Sequence, residues 1–280
     1  MSIVIYVAIP VFLITMLIEW LWSRPRKGAA TGPAGGVVKG YARPDTLASL
    51  AMGVGNVIIA GATKLVLIAM LTWFYEHRIV TLGDGVLGWT VAMVGWDFAF
   101  YWNHRVEHEN RVLWACHVNH HSSQHYNLTT ALRQPWTPFA GLVFYPPLAF
   151  FGVSPKLIMI SGGLNLVYQY WVHTEAIKKL PRPIEFVMNT PSHHRVHHGA
   201  NPEYLDKNYG GILIVWDRLF GTFEEERARV RFGLTKNITS FNPFVIAFHE
   251  YVAIARDVRA ATSWRVRFGI LWHGPAWAPP

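Results

Sequence analysis

Nine histidines stand in four groups along the chain: His104 and His108, then His117, His120 and His121, then His173 alone, then His194, His197 and His198. Residues three and four apart on a helix share a face. H-R-V-E-H therefore delivers two imidazoles to one point, and H-V-N-H-H and H-R-V-H-H offer three each. A single four-coordinate ion needs about four ligands, so nine convergent imidazoles suit two ions with positions left open for a substrate. Neutral imidazole suits iron, zinc and copper, and it leaves the metals more positive than a carboxylate-rich site would.

The elements that must position these groups are apolar. Of the 280 residues 51% are hydrophobic, and only 15% are charged, well below the roughly 25% usual in soluble domains. We expect an all-α chain of multi-pass membrane helices, with about three to five spans and one of them a candidate re-entrant hairpin, capped by a cytoplasmic helical part carrying a histidine-rich dimetal site. Residues 1–280 read as a single integral unit, with a motif core at 95–223 and a cytoplasmic or interfacial tail at 224–280. Residues 2–22 make a first span, broken only by Glu19. No basic stretch precedes this run and no small-residue cleavage site follows it, which argues against a cleaved signal peptide. A second span, 47–75, exceeds the length needed to cross about 30 Å of hydrocarbon, so it must tilt or kink near Gly53, Gly55 or Gly61. The third, 86–102, should run straight on into the first histidine pair, because no Pro or Gly lies between Asp97 and Glu109. Segments 138–151 and 157–172 flank the turn G-V-S-P and form either two tilted spans or a re-entrant hairpin.

Either arrangement returns the chain to the side it left, so the histidines before and after the hairpin face one compartment. The loop after the first span holds Arg24, Arg26, Lys27, Lys39 and Arg43. The opposite side holds only Arg78 and, at the hairpin tip, Lys156. The positive-inside rule then puts the amino terminus outside and the site in the cytoplasm, in a bacterial cytoplasmic membrane or the endoplasmic reticulum. The net charge of +8 fits contact with an anionic membrane surface, and no nucleic-acid-binding motif accompanies it. Cys116 is the one cysteine; it can form no internal disulfide and is expected to be a small buried residue.

The wording around the histidines goes beyond spacing. D-F-A-F-Y-W-N-H-R-V-E-H-E, L-W-A-C-H-V-N-H-H-S-S-Q-H-Y-N-L-T-T-A-L-R-Q, Q-Y-W-V-H-T-E, N-T-P-S-H-H-R-V-H-H-G and D-K-N-Y-G-G-I-L-I-V-W-D-R-L-F-G-T-F resemble the fatty acid hydroxylase and sterol desaturase superfamily, and within it the alkylglycerol monooxygenase branch most. The resemblance implies an integral membrane oxidoreductase with two iron ions that hydroxylates or desaturates a lipid with dioxygen, and it nominates the same nine histidines as metal ligands. On an ether lipid, hydroxylation beside the ether oxygen gives a hemiacetal that collapses to an aldehyde and a free glycerol. The external reductant would be tetrahydrobiopterin by resemblance, or an electron-transfer protein such as a ferredoxin or cytochrome. The alternative within the superfamily is a sterol or fatty-acyl desaturase.

Three carboxylates are candidates for support: Asp97, on the α-helical face that leads to Tyr101, His104 and His108, and Glu109 and Glu175, each near a candidate ligand. Such a group could orient an imidazole or, for the two glutamates, bind iron. His193 and His125 are weaker candidates beside the clusters, and His77, His249 and His273 lack partners. Arg133 is placed to meet a lipid headgroup or a carboxylate below the metals, and Asp206, Asn208 and Tyr209 to form a turn or to hydrogen-bond toward the site. Trp216, Leu219, Phe220 and Phe223 are spaced like one apolar helix face, and the stretch from Trp264 reads as interfacial. Outside this class, a zinc-binding membrane hydrolase or metal carrier is the main competitor, although no H-E-x-x-H occurs. A haem protein is disfavoured by clustering at helix ends.

Overall fold

A computed structural model describes residues 3–24, 40–59 and 61–278; residue 2 and the basic residues Arg26, Lys27 and Lys39 lie outside these. Helices are the regular elements of the described residues, which contain no strand and only two isolated bridges, Met188 to Leu213 and Gly199 to Phe232.

The first half of the chain supplies long helices. Helix α1 (Ile3–Trp22) lies along α8 (Pro155–Val172), where Phe12 stacks on Tyr170 at 3.9 Å. Glu19 does not end α1 in solvent: it is buried and accepts hydrogen bonds from the Tyr41 hydroxyl at 2.6 Å, the Leu128 amide at 2.8 Å and the Thr174 hydroxyl. The expected second span is two helices, α2 (Arg43–Ile59) and α3 (Gly61–Glu76), bent by 48° at a break just before Gly61. Among the described residues no single helix is long and apolar enough to cross a membrane, but this bent pair is by length and composition.

Helix α4 (Val86–Glu109) is continuous into the first histidine pair; it holds no proline, and its glycines, Gly88 and Gly95, lie before Asp97. It stops at Asn110, an extended residue (φ −126°, ψ 125°) whose side chain accepts the Leu113 amide and so caps α5 (Arg111–His121). That break folds α5 back against α4 and brings two histidine groups together. The first arm of the expected hairpin does not form one helix. Pro146 and Pro147 divide it into α6 (Gly141–Phe144) and α7 (Pro146–Phe150), because proline carries no amide hydrogen to continue a ladder. Leu71, Ala92, Ala149, Val153, Leu157 and Ile158 form the core where α3, α4, α7 and α8 meet.

The second half is made of short pieces: α9 (Arg182–Val187), α10 (Pro191–His197) and α11 (Val215–Phe220), followed by α12 (Pro243–Ala260) and α13 (Trp264–Trp272). Arg111 ties α12 to α5 through Glu250 at 2.8 Å and Asp257 at 2.7 Å. Helix α11 ends at Phe220, with Gly221 in the left-handed conformation (φ 75°). Phe223 therefore lies beyond it, and the expected single apolar face is not one helix.

Candidate metal centre

Each histidine group is delivered by a different local device. His104 and His108 are one turn apart on α4, while His117, His120 and His121 occupy the last turns of α5. His173 is the residue that ends α8. His194 and His197 lie on α10, which Pro191 starts, and His198 caps it. Arg195 fixes that helix from below: it is buried, paired with Glu226 through two bonds of 2.9 and 2.7 Å, and donates to the carbonyls of Thr174 and Ile177 just past His173.

The nine imidazoles gather into two adjoining sets. His104, His108, His117, His121 and His197 form one, and His120, His173, His194 and His198 the other, with the potential ligand atoms of each set within 4.8 Å of one another. The neighbours in H-H at 120–121 and at 197–198 are divided between the sets, because successive helical residues point about 100° apart. His125 and His193 join neither; His193 instead sits 2.9 Å from Glu185.

Three of the nine imidazoles have their tautomer fixed by the main chain. The Nδ1 of His104 faces the Tyr209 carbonyl at 2.8 Å, that of His197 the Lys207 carbonyl at 3.0 Å and that of His173 the Gln169 carbonyl at 2.6 Å. A carbonyl only accepts, so Nδ1 carries the hydrogen and the Nε2 lone pair is bare in each ring. His104 Nε2 then meets His117 Nε2 at 3.0 Å, and His173 Nε2 meets those of His120 at 3.1 Å and His194 at 2.9 Å. Further buried ring nitrogens lack any hydrogen-bond partner: Nε2 of His108, His121, His197 and His198, and Nδ1 of His120 and His194. Burial holds all nine in the neutral form: His104 and His173 are pushed down to about 4, and the other seven go well below the usual imidazole range, with mutual repulsion adding to desolvation. An unmet buried lone pair costs on the order of 1–3 kcal/mol, and a bound cation in each set would satisfy many at once. The residues present fit two metal ions.

The supporting carboxylates are placed differently from expectation. Asp97 touches no imidazole. Two helical turns before His104, it accepts hydrogen bonds from the amides of Ile212 (2.7 Å) and Leu213 (3.1 Å), the Trp216 indole (2.9 Å) and Asn165 (2.8 Å). It anchors the loop that carries Tyr209, and Gly211 is needed there because a Cβ would come within 2.8 Å of the Asp97 carboxylate. Asp217 grips the same loop through the amides of Tyr209 and Gly210, both at 2.8 Å. Glu109 points outward, half-exposed and paired with Arg105 at 2.8 Å. Glu175 is partly buried, which pushes it up to about 7 against the pull of Arg195, and it lies outside both sets. Arg133 is fully buried and meets the carboxylate of Asp45 at 2.7 Å, so it is not open to a headgroup. Cys116 is buried, and burial raises its thiol to about 12.

The sequence reading passed over Glu107, a buried carboxyl 3.5 Å from His117 Nδ1. The available signal was the pair Asn103 and Glu107, polar and one turn apart, immediately beside the stripe of His104 and His108.

Residues 89–222, which include all nine histidines, match the family model "Fatty acid hydroxylase". These residues are a fatty acid hydroxylase domain. The chain is similar to the alkylglycerol monooxygenases of Homo sapiens (39% identical over 275 residues, 97% of this chain and 59% of that protein), Xenopus tropicalis (41% over 238 residues, 84% and 53%) and Danio rerio (44% over 208 residues, 74% and 46%). The chain thus spans about half the length of the curated relatives it matches. No solved structure matches it. Within the family domain, the α4–α5 pair supplies five of the histidines, and the remaining four come from the end of α8 and from α10 with its cap.

Proposed function

We propose that the chain is a membrane-bound, non-haem di-iron oxygenase that hydroxylates a C–H bond of a lipid, of the alkylglycerol monooxygenase type. The observation that carries this reading is the pair of adjoining imidazole sets, in which main-chain carbonyls hold His104, His173 and His197 with a bare Nε2. His104, His108, His117, His121 and His197 would hold one iron and His120, His173, His194 and His198 the other, and the bound pair would supply the reductive activation of dioxygen that an unactivated C–H bond requires.

What the chain itself does is hold, exclude and orient. The nine neutral imidazoles need shed no proton to bind a cation. Trp114 lies over His108 and His121, with ring centroids at 4.9 and 5.4 Å, and Tyr209 packs 5.3 Å from His108, so aromatic walls close this side of the centre. Burial keeps water out, which protects a reactive oxidant from side reactions. Membrane placement is supported by an inverted surface: Val7, Ile58, Leu65 and Val86 are each at least 70% exposed on α1 to α4, and such an apolar belt suits lipid. We place the site on the cytoplasmic side, from the distribution of Arg and Lys.

The test is to supply purified, iron-loaded protein with an alkylglycerol, dioxygen and reduced tetrahydrobiopterin. Release of a fatty aldehyde is expected. Absence of aldehyde with pterin and with ferredoxin, from protein shown to hold two irons, moves the reading to another lipid. Lipid mass spectrometry of cells with and without the chain then separates a hydroxylase, which adds one oxygen, from a desaturase, which removes two hydrogens.

A further inference from the structure

Glu107, the one carboxylate inside H-R-V-E-H, is 8% exposed and lies on α4 directly before His108. Its Oε2 stands 3.5 Å from Nδ1 of His117. The opposite nitrogen of the same ring, Nε2, is the atom that meets His104 Nε2 at 3.0 Å inside the five-imidazole set. The carboxyl is therefore behind His117 and outside the set, on the far side of the ring from any ion held there. No carboxylate is paired with an imidazole of the four-membered set among the described residues; there, His173 leans on the Gln169 carbonyl. The other carboxylate near the five-membered set, Asp206, is 3.9 Å from His108 and 63% exposed, where water screens it.

We infer that Glu107 is a positioning residue for His117: it accepts the Nδ1 hydrogen, turns the Nε2 lone pair into the five-imidazole set, and makes that metal position the more electron-rich and tighter of the two. This rests on the dimetal reading above. A carboxyl hydrogen-bonded behind a ligating imidazole fixes its tautomer and raises its donor strength, and losing such a partner typically costs about 10–100-fold in metal affinity. The two positions are then unequal by construction, one backed by a buried carboxyl and the other by the main chain.

The experiment is an anaerobic titration of the metal-free full chain, in detergent, with Fe(II), comparing wild type, Glu107→Gln, Glu107→Asp and His117→Ala. Glutamine keeps the shape while replacing one carboxyl oxygen with an amide nitrogen, which cannot accept a hydrogen bond. We expect wild type to take up two equivalents, and Glu107→Gln to bind one of them about 10-fold or more weakly while the other is unchanged. That weakened equivalent should be the one lost in His117→Ala, and Glu107→Gln should add nothing on the His117→Ala background. Thermal unfolding of metal-free Glu107→Gln should match wild type; if that variant does not fold, Glu107→Asp, which keeps the carboxyl group, should keep its tighter equivalent to within a few-fold of wild type. Unchanged affinity for both equivalents, or equal weakening of both, overturns the inference. If wild type itself takes up no metal, the dimetal reading fails first and takes this inference with it.

Discussion

The rings of His121 and His198 stack at 4.4 Å with an interplanar angle of 23°, and each belongs to a different imidazole set. The two sets thus share a wall, and each histidine doublet gives one ring to each side of it.

This division gives the first prediction. His120→Ala and His121→Ala remove neighbouring residues but strip ligands from different sets, so each should lower metal content by about one equivalent and leave the other position filled. Activity should fall by more than about 100-fold in both, beyond the usual cost of losing an outer partner. His249→Ala, whose ring nitrogen faces the Ile246 carbonyl away from both sets, should be close to neutral. Metal analysis with lipid turnover checks all three.

The buried pair of Arg133 and Asp45 locks α2 to the segment after α5, with Ser49 and Ser122 completing the guanidinium's bonds. Removing one partner leaves an uncompensated buried charge, at a cost of about 3–5 kcal/mol. Arg133→Met should therefore lower the unfolding midpoint strongly, and Arg133→Met with Asp45→Leu should recover much of the loss. Thermal unfolding in detergent measures both.

Asp97 satisfies two loop amides, an indole and an amide side chain. Asp97→Ala strands these buried donors, each worth on the order of 1–3 kcal/mol, and should loosen the loop holding Tyr209 and so the tautomer of His104. Faster amide exchange at 209–216 in the Asp97→Ala protein is the expected reading.

Acid should unfold the metal-free protein over a defined window. Burial lowers His104 and His173 to about 4 in the fold, whereas an unfolded imidazole titrates near 6.5. Between those values the unfolded chain binds more protons, so stability falls as pH drops from about 6.5 to about 4 and is level in this respect above that range. Unfolding midpoints of metal-free protein across pH 4 to 8 test the sign; a midpoint that rises on acidification contradicts it.

Much of the centre was legible in the sequence because helical spacing is local. H-R-V-E-H on an unbroken helix had to present two rings to one side, and the structure gathers all nine singled-out histidines into two sets. The split into five and four was not legible, since it depends on how α5 and α10 are rotated against α4. Glu107 was passed over for the same reason: only the packing of α5 against α4 brings it to His117. Asp97 is nominated by its helix face and Glu109 by its place next to His108, and neither fixes where a carboxylate points. Pro146 and Pro147 broke a segment whose apolar composition had suggested a continuous arm.

The central claim is tested most directly by counting metals in active protein. Purified chain, reconstituted anaerobically with Fe(II), should hold two irons, and the rate of dioxygen-dependent lipid hydroxylation should rise with iron content up to that ratio. Full activity with one metal per chain, or a zinc-loaded protein that turns over lipid while the iron-loaded form does not, contradicts the account.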